Sequence, residues 1–184
     1  MSSAASVGGR DRLRLFLGLP LPDAVLEPLD DWQHRELSGA GRVVGREQLH
    51  ITLAFLGSRP AGELPSIAEE LRAAASAASD PLLDVHGYRE TRSVGMLVFD
   101  DAEGHATALA ADVHERLERL GVYERERRPW LPHVTVLRFR DRPRLRPALP
   151  DLGAVSPSEA AVYSSVLRPS GAQYEILESV RLGG

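Results

Sequence analysis

The chain has 184 residues, enough for one domain or for two half-size lobes sharing a core, and 43% of them are hydrophobic, the proportion of an ordinary folded globule. A net charge of -4 argues against a bulk polyanion binder, and the lack of cysteine excludes disulfides, thiolate catalysis and Cys-ligated metals. All 22 basic residues are arginine, so a P-loop lysine, a Schiff-base lysine and the covalent lysyl-nucleotide of ATP-dependent ligases are excluded too.

The opening "MSSAASVGGR" is small and polar and lacks an apolar core, so residues 1–11 are expected to form a flexible tail and not a signal peptide. No apolar run approaches the roughly 20 residues that span a bilayer, and the cytoplasm is the expected location. "LRLFLGL" has strand character, and "LPDAVLEPLDDWQHREL" predicts a helix with Asp23 as N-cap and Pro28 disturbing its first turns. "SGAGRVVGREQ" reads as a loop that delivers the apolar strand "LHITLAFLG" (49–57). The alanine-rich 63–79 predicts a helix ended by Asp80-Pro81, followed by two strand-like runs, "LLDVHGY" and "SVGMLVFD". Residues 103–121 show helical periodicity and stop at a glycine. A second apolar strand, "PHVTVLRFR" (132–140), leads into a proline- and arginine-rich connection. The tail predicts a hairpin turning at Pro169-Ser170-Gly171. Eight arginines cluster between positions 125 and 146, a local welcome for phosphate in a chain of negative net charge.

Two of these strands carry the same pattern. Side chains alternate along a strand, so His50 and Thr52 share one face, as do His133 and Thr135. Burying an imidazole beside a hydroxyl is unfavourable unless something bonds to both. One such pair is ordinarily a satisfied structural feature. Two pairs, at matching places in two half-chains that each run strand, helix, motif strand, point to a shared ligand between duplicated lobes. The expected fold class is therefore α+β: a bilobal arrangement of two antiparallel sheets with outer helices and a central pseudo-twofold cleft, in one unit spanning 12–184.

Histidine exchanges a proton near neutral pH, so two facing one substrate can divide the work of base and acid. A threonine two residues on can hold a phosphoryl oxygen. Four such groups around one phosphorus suit in-line attack on a phosphodiester, with neither metal nor cofactor required. His-x-Thr offers one good metal ligand per strand and lacks zinc-type spacing, and no G-x-S-x-G elbow or dinucleotide fingerprint is present. His34, His86, His105 and His114 stand singly and read as structural or exposed.

"LHITLAFLG" and "PHVTVLRF" resemble the two motifs of the 2H phosphoesterase superfamily, and in particular the bacterial RNA 2',3'-cyclic phosphodiesterase group, also called the 2'-5' RNA ligase family. "RLFLGLPLPDAVLEPL", "RRPWLPHVTVLR" and "SVLRPSGAQYEIL" extend the likeness over most of 12–182. The resemblance implies His50 and His133 as the catalytic pair; which of them is acid and which base stays open, with His50 favoured as acid. It implies Thr52, Thr135 and Arg138 as phosphate contacts, and Phe55, Arg128 and Trp130 as candidate nucleotide contacts. Phe55 and Arg138 lie an odd number of residues from their histidines, so strict alternation turns them from the cleft unless a bulge intervenes. The implied reaction is metal-independent hydrolysis of a terminal ribose 2',3'-cyclic phosphate to a 2'-phosphate, with ATP-independent 2'-5' joining as its reverse. Independently of the resemblance, the lack of any coiled-coil pattern leaves a monomer as the expected state. Two other classes stay open: a 2H enzyme acting on a small cyclic nucleotide or an ADP-ribose cyclic phosphate, and a non-catalytic RNA- or nucleotide-binding module.

Overall fold

The computed structural model describes residues 11–183. Strand β1 (Arg12–Pro20) is buried without interruption from Leu15 to Leu19 because both of its faces are covered. Leu15, Leu17 and Leu19 point into the main core, while Phe16 joins a separate cluster with Tyr163 on the opposite face. Helix α1 (Asp23–Leu37) follows, then β2 (Arg42–Val43), a 3-10 turn and β3 (His50–Pro60). Helix α2 (Leu64–Ala77), β4 (Asp84–Glu90), β5 (Val94–Asp100), α3 (His105–Leu120) and β6 (His133–Arg138) come next. The chain ends in the hairpin β7 (Glu159–Arg168) and β8 (Gly171–Arg181).

All pairings are antiparallel, in the order β4-β5-β6-β3-β1-β7-β8, with β2 on β6. The two expected sheets are thus joined edge to edge, and narrowly: β3 and β6 share the single pair Ile51↔Val134. Read outward from that seam, β6, β5 and β4 on one side match β3, β1 and β7 on the other. The chain segments β1-α1-β3 and β5-α3-β6 are the matching halves.

The helices cross over. α1 follows β1 but packs against β2 and β6, where Gln33 Nε2 donates to the carbonyls of Val44 (3.0 Å) and Val136 (2.9 Å). α3 follows β5 but packs against β3, where His114 Nε2 donates to the Leu53 carbonyl at 2.7 Å. Gln33 and His114 are among the few buried polar side chains of the described residues.

Local expectations hold with small corrections. Asp23 is the first helical residue of α1 and not its cap; the Pro22 carbonyl takes the Val25 and Leu26 N–H groups, and Asp23 instead places negative charge in the first turn. Pro28 is accommodated inside α1, whose packing of Val25, Leu29, Trp32 and Leu37 outweighs the missing bond. α3 ends at Gly121 in the left-handed conformation (φ 77°), as its sequence predicts. The expected tail falls on residues 1–10, outside the described residues, except Asp11, whose carbonyl is bound by the Ala61 N–H. The long connection after β6 is tied down by the Glu90 carboxylate, which accepts from Leu145 N, Arg144 N, Arg142 Nε and Tyr88 OH. Burial alone would raise the Glu90 pKa, but those bonds outweigh it and hold the carboxyl below its usual range. No helix among the described residues is long and apolar enough to cross a membrane.

The crossed helices generate a prediction. Removing the donor from one grip leaves a buried carbonyl unpaired, which costs about 1–3 kcal/mol. His114→Leu should lose about that much in a urea titration, whereas His114→Gln, borrowing the donor the other lobe uses, should keep most of it. Equal losses in both variants would show that the donor is not what matters.

Candidate active site

The seam sets the two motifs side by side. Around Ile51↔Val134 the antiparallel register places His50 toward Thr135 and Thr52 toward His133. Ile51, Leu53, Val134 and Val136 are buried in the core, so the motif residues between them face the other way. All four line one cavity of about 420 Å³.

Each imidazole is anchored in the same manner. His50 Nδ1 lies 2.7 Å from the Gln48 carbonyl, and His133 Nδ1 lies 2.8 Å from the Leu131 carbonyl. A carbonyl only accepts, so both Nδ1 atoms carry the proton and both Nε2 atoms are left for chemistry in the cleft. Thr52 Oγ1 stands 3.0 Å from His50 Nε2.

The two histidines differ in their surroundings. His50 sits against Phe16, Tyr163 and Tyr174, with ring centroids 4.8, 5.5 and 5.5 Å away. Loss of water in this nest lowers its pKa to about 4, and the nearby charges of His133 and Arg138 push the same way, against the raising effect of the Gln48 bond. The ring fits only because β1 carries glycine beneath it. A Cβ on Gly18 would meet the Ile51 carbonyl at 2.9 Å and His50 Cδ2 at 3.3 Å.

A bulge follows each motif threonine. On β3 the ladder to β1 skips from Gly18↔Thr52 to Leu17↔Ala54, so Leu53 is extra; on β6 the ladder to β5 skips from Met96↔Thr135 to Gly95↔Leu137, so Val136 is extra. One extra residue inverts the alternation beyond it. Phe55 thereby comes opposite Phe16, and Phe55 and Arg138 both line the cavity with the histidines. The carbonyls of the extra residues, Leu53 and Val136, are those held by His114 and Gln33.

Two expected nucleotide contacts are placed elsewhere. Arg128 is 89% exposed, 3.9 Å from Glu126, and does not line the cavity. Its loop continues past α3 on the outer surface, and nothing turns it inward. Trp130 is also absent from the cavity wall; it lies behind the motif, packed on the core, with Nε1 donating to the Thr52 carbonyl at 3.0 Å. It supports the bulge from below.

Sequence reasoning missed Arg14, Arg42 and Arg168, which line the same cavity. Arg14 lies over the Phe55 ring, 4.8 Å from its centroid, and Phe55 is half exposed. Ser165 Oγ is buried at the wall without a hydrogen-bond partner among the described residues. Arg14 and Arg42 come from strands paired with the motif strands, and Arg168 and Ser165 from β7, so sheet pairing brings them together, and only the alternation of "RLRLF" and "SSVLR" hinted at a polar face. Among the described residues, no three His, Asp or Glu side chains gather as metal ligands would.

With this geometry in place, comparison with known proteins gives a consistent answer. Residues 21–167 match the family model of the 2'-5' RNA ligase superfamily. A Thermus thermophilus protein named RNA 2',3'-cyclic phosphodiesterase is 33% identical over 94% of this chain and 91% of its own length. A crystal structure of a Thermus thermophilus protein superposes with a TM-score of 0.75 at 31% identity, covering 94% of this chain and 99% of that one. The apo structure of E. coli LigT shares the fold with a TM-score of 0.81 at 24% identity, covering 95% and 99% of the two chains. The chain belongs to the 2'-5' RNA ligase superfamily, the family to which its paired His-x-Thr strands pointed.

Proposed function

We propose that the protein is a metal-independent RNA 2',3'-cyclic phosphodiesterase that opens a terminal cyclic phosphate to a 2'-phosphate. The observation that carries this reading is the matched anchoring of His50 and His133, each with Nδ1–H on a backbone carbonyl and Nε2 toward one cavity. The superfamily match and the relative named for that activity support it.

In this mechanism the phosphate rests against the Thr52 and Thr135 hydroxyls and the Arg138 guanidinium. A water attacks phosphorus in line with the 3' oxygen. One Nε2 takes the water's proton as the P–O bond forms, and the other histidine gives its Nε2 proton to the 3' oxygen as that bond breaks. A 5'-hydroxyl in place of water runs the reverse step and yields a 2'-5' linkage without ATP.

Burial favours the neutral form of His50, which supports His50 as base and His133 as acid in the proposed reaction. It is the opposite of the assignment favoured from the sequence, which leaves the choice open. The physical reason is the aromatic nest, which disfavours imidazolium at position 50.

The site makes two predictions. A short RNA ending in a 2',3'-cyclic phosphate should be opened in EDTA, and His50→Ala and His133→Ala should each lower kcat by about 10²–10⁴-fold. Loss of wild-type turnover in EDTA would contradict the metal-free mechanism, and turnover surviving both substitutions would contradict the paired-histidine one. For pH, His50 keeps its base form down to about 4, so the acid limb of kcat/KM should lie near that value. The unfolded chain takes up a proton at His50 near 6.5 that the folded chain refuses until about 4, so stability should fall as pH drops through that window, and by less in His50→Asn. An acid limb and a stability curve unchanged by that substitution would remove His50 from both roles.

A further inference from the structure

Four guanidinium groups, those of Arg14, Arg42, Arg138 and Arg168, line the cavity, and no carboxylate among the described residues does. None of the four has an ion-pair partner among the described residues, although seven other arginines do. A cyclic phosphate carries one negative charge, too little to balance four like charges facing one space in a protein of net charge -4. The four are also not equivalent in place. Arg138 is close enough to His50 to act on its charge, and Arg14 lies on the face of Phe55.

Arg42 and Arg168 meet at the hairpin turn. Arg42 is the ladder partner of Arg138, and from there its guanidinium reaches across the cleft to donate to the Ser170 carbonyl at 3.3 Å. Arg168 is the ladder partner of Gly171. The space a Cβ would fill at Gly171 (φ 120°) is taken by the Arg42 guanidinium, which thus lies beside the turn that Arg168 closes from the opposite strand. Beyond it the cleft opens into a second cavity of about 590 Å³ that shares Arg42, Gln48, Gly171 and Tyr174 with the first. The site at the histidines therefore continues past Arg42 into this second cavity, which Glu47 also lines, while Arg168 stays on the wall of the first.

We propose that Arg42 and Arg168 form a second anion seat, which holds the phosphodiester one nucleotide upstream of the reacting end, so that the enzyme selects oligoribonucleotide 3' ends over mononucleotides. The inference rests on the proposed reaction at His50 and His133 and adds the substrate's length to it. An internucleotide phosphate brings the next negative charge along the chain, and guanidinium groups match phosphate oxygens in charge and fork geometry.

The test compares kcat/KM for adenosine 2',3'-cyclic phosphate, for a dinucleotide ending in the same group, and for that dinucleotide with an uncharged methylphosphonate linkage. Wild type should prefer the charged dinucleotide over the mononucleotide by about tenfold, the equivalent of about 1.4 kcal/mol. The methylphosphonate should lose most of that preference. Arg168→Gln and Arg42→Gln should each bring the dinucleotide-to-mononucleotide ratio toward one and flatten the salt dependence of dinucleotide KM by about one phosphate contact. Arg42 also braces the turn, so thermal unfolding of its variant is followed in parallel, and Arg168→Gln decides if the Arg42 variant unfolds. Equal efficiency on mononucleotide and dinucleotide, or a methylphosphonate as good as the phosphodiester, would overturn the seat while leaving the reaction intact. No turnover of any of the three would overturn the proposed reaction and the seat with it.

Discussion

A buried side chain on a crossed-over helix holds the carbonyl of the extra residue in each motif strand: His114 holds Leu53, and Gln33 holds Val136. A bulge leaves a backbone group outside the ladder, and a buried carbonyl without a donor is costly. α3 supplies that donor to Leu53 through His114, and at Val136 Gln33 of α1 shares the carbonyl with the Val44 N–H at 3.1 Å. With both carbonyls held, each strand can carry a histidine and a threonine on the cleft face and then invert, bringing Phe55 or Arg138 onto the same face. The cleft is therefore assembled by one structural device used twice, and the seam between lobes needs only one residue pair to align the copies.

The electrostatics of the cleft follow from the same frame. Gly18 lets the His50 ring lie over β1, where Phe16, Tyr163 and Tyr174 exclude water and keep it neutral. The four cavity arginines keep the surrounding potential positive without carboxylates to quench it. A neutral imidazole in a positive cavity is what the proposed reaction on an anionic phosphodiester calls for, with the field drawing the substrate in and the base having no proton to lose first.

The paired motifs, the three helices and the closing hairpin were legible because each is written locally, in alternation, periodicity and turn residues. The bulges were legible only as a condition, since Phe55 and Arg138 sat at the wrong parity for a regular strand. Arg14, Arg42 and Arg168 were not legible, because lone arginines on three separate strands carry no local pattern and meet only after the sheet curls. Gln33 and His114 gave no sign either, for a helix shows which face is buried but not which carbonyl that face will meet. Trp130 and Arg128 were misplaced by proximity to the second motif. In the fold, one lies behind Thr52 and the other faces solvent.

The central claim is that two histidines, both protonated on Nδ1 by their backbone anchors, face one phosphate with His50 held neutral. Nitrogen-15 NMR of the imidazole rings across a pH titration tests it most directly. The account predicts that both rings in their neutral form carry the proton on Nδ1, and that His50 stays neutral until the pH approaches about 4. An Nε2–H tautomer at either position, or a His50 that titrates near 6.5, would contradict it.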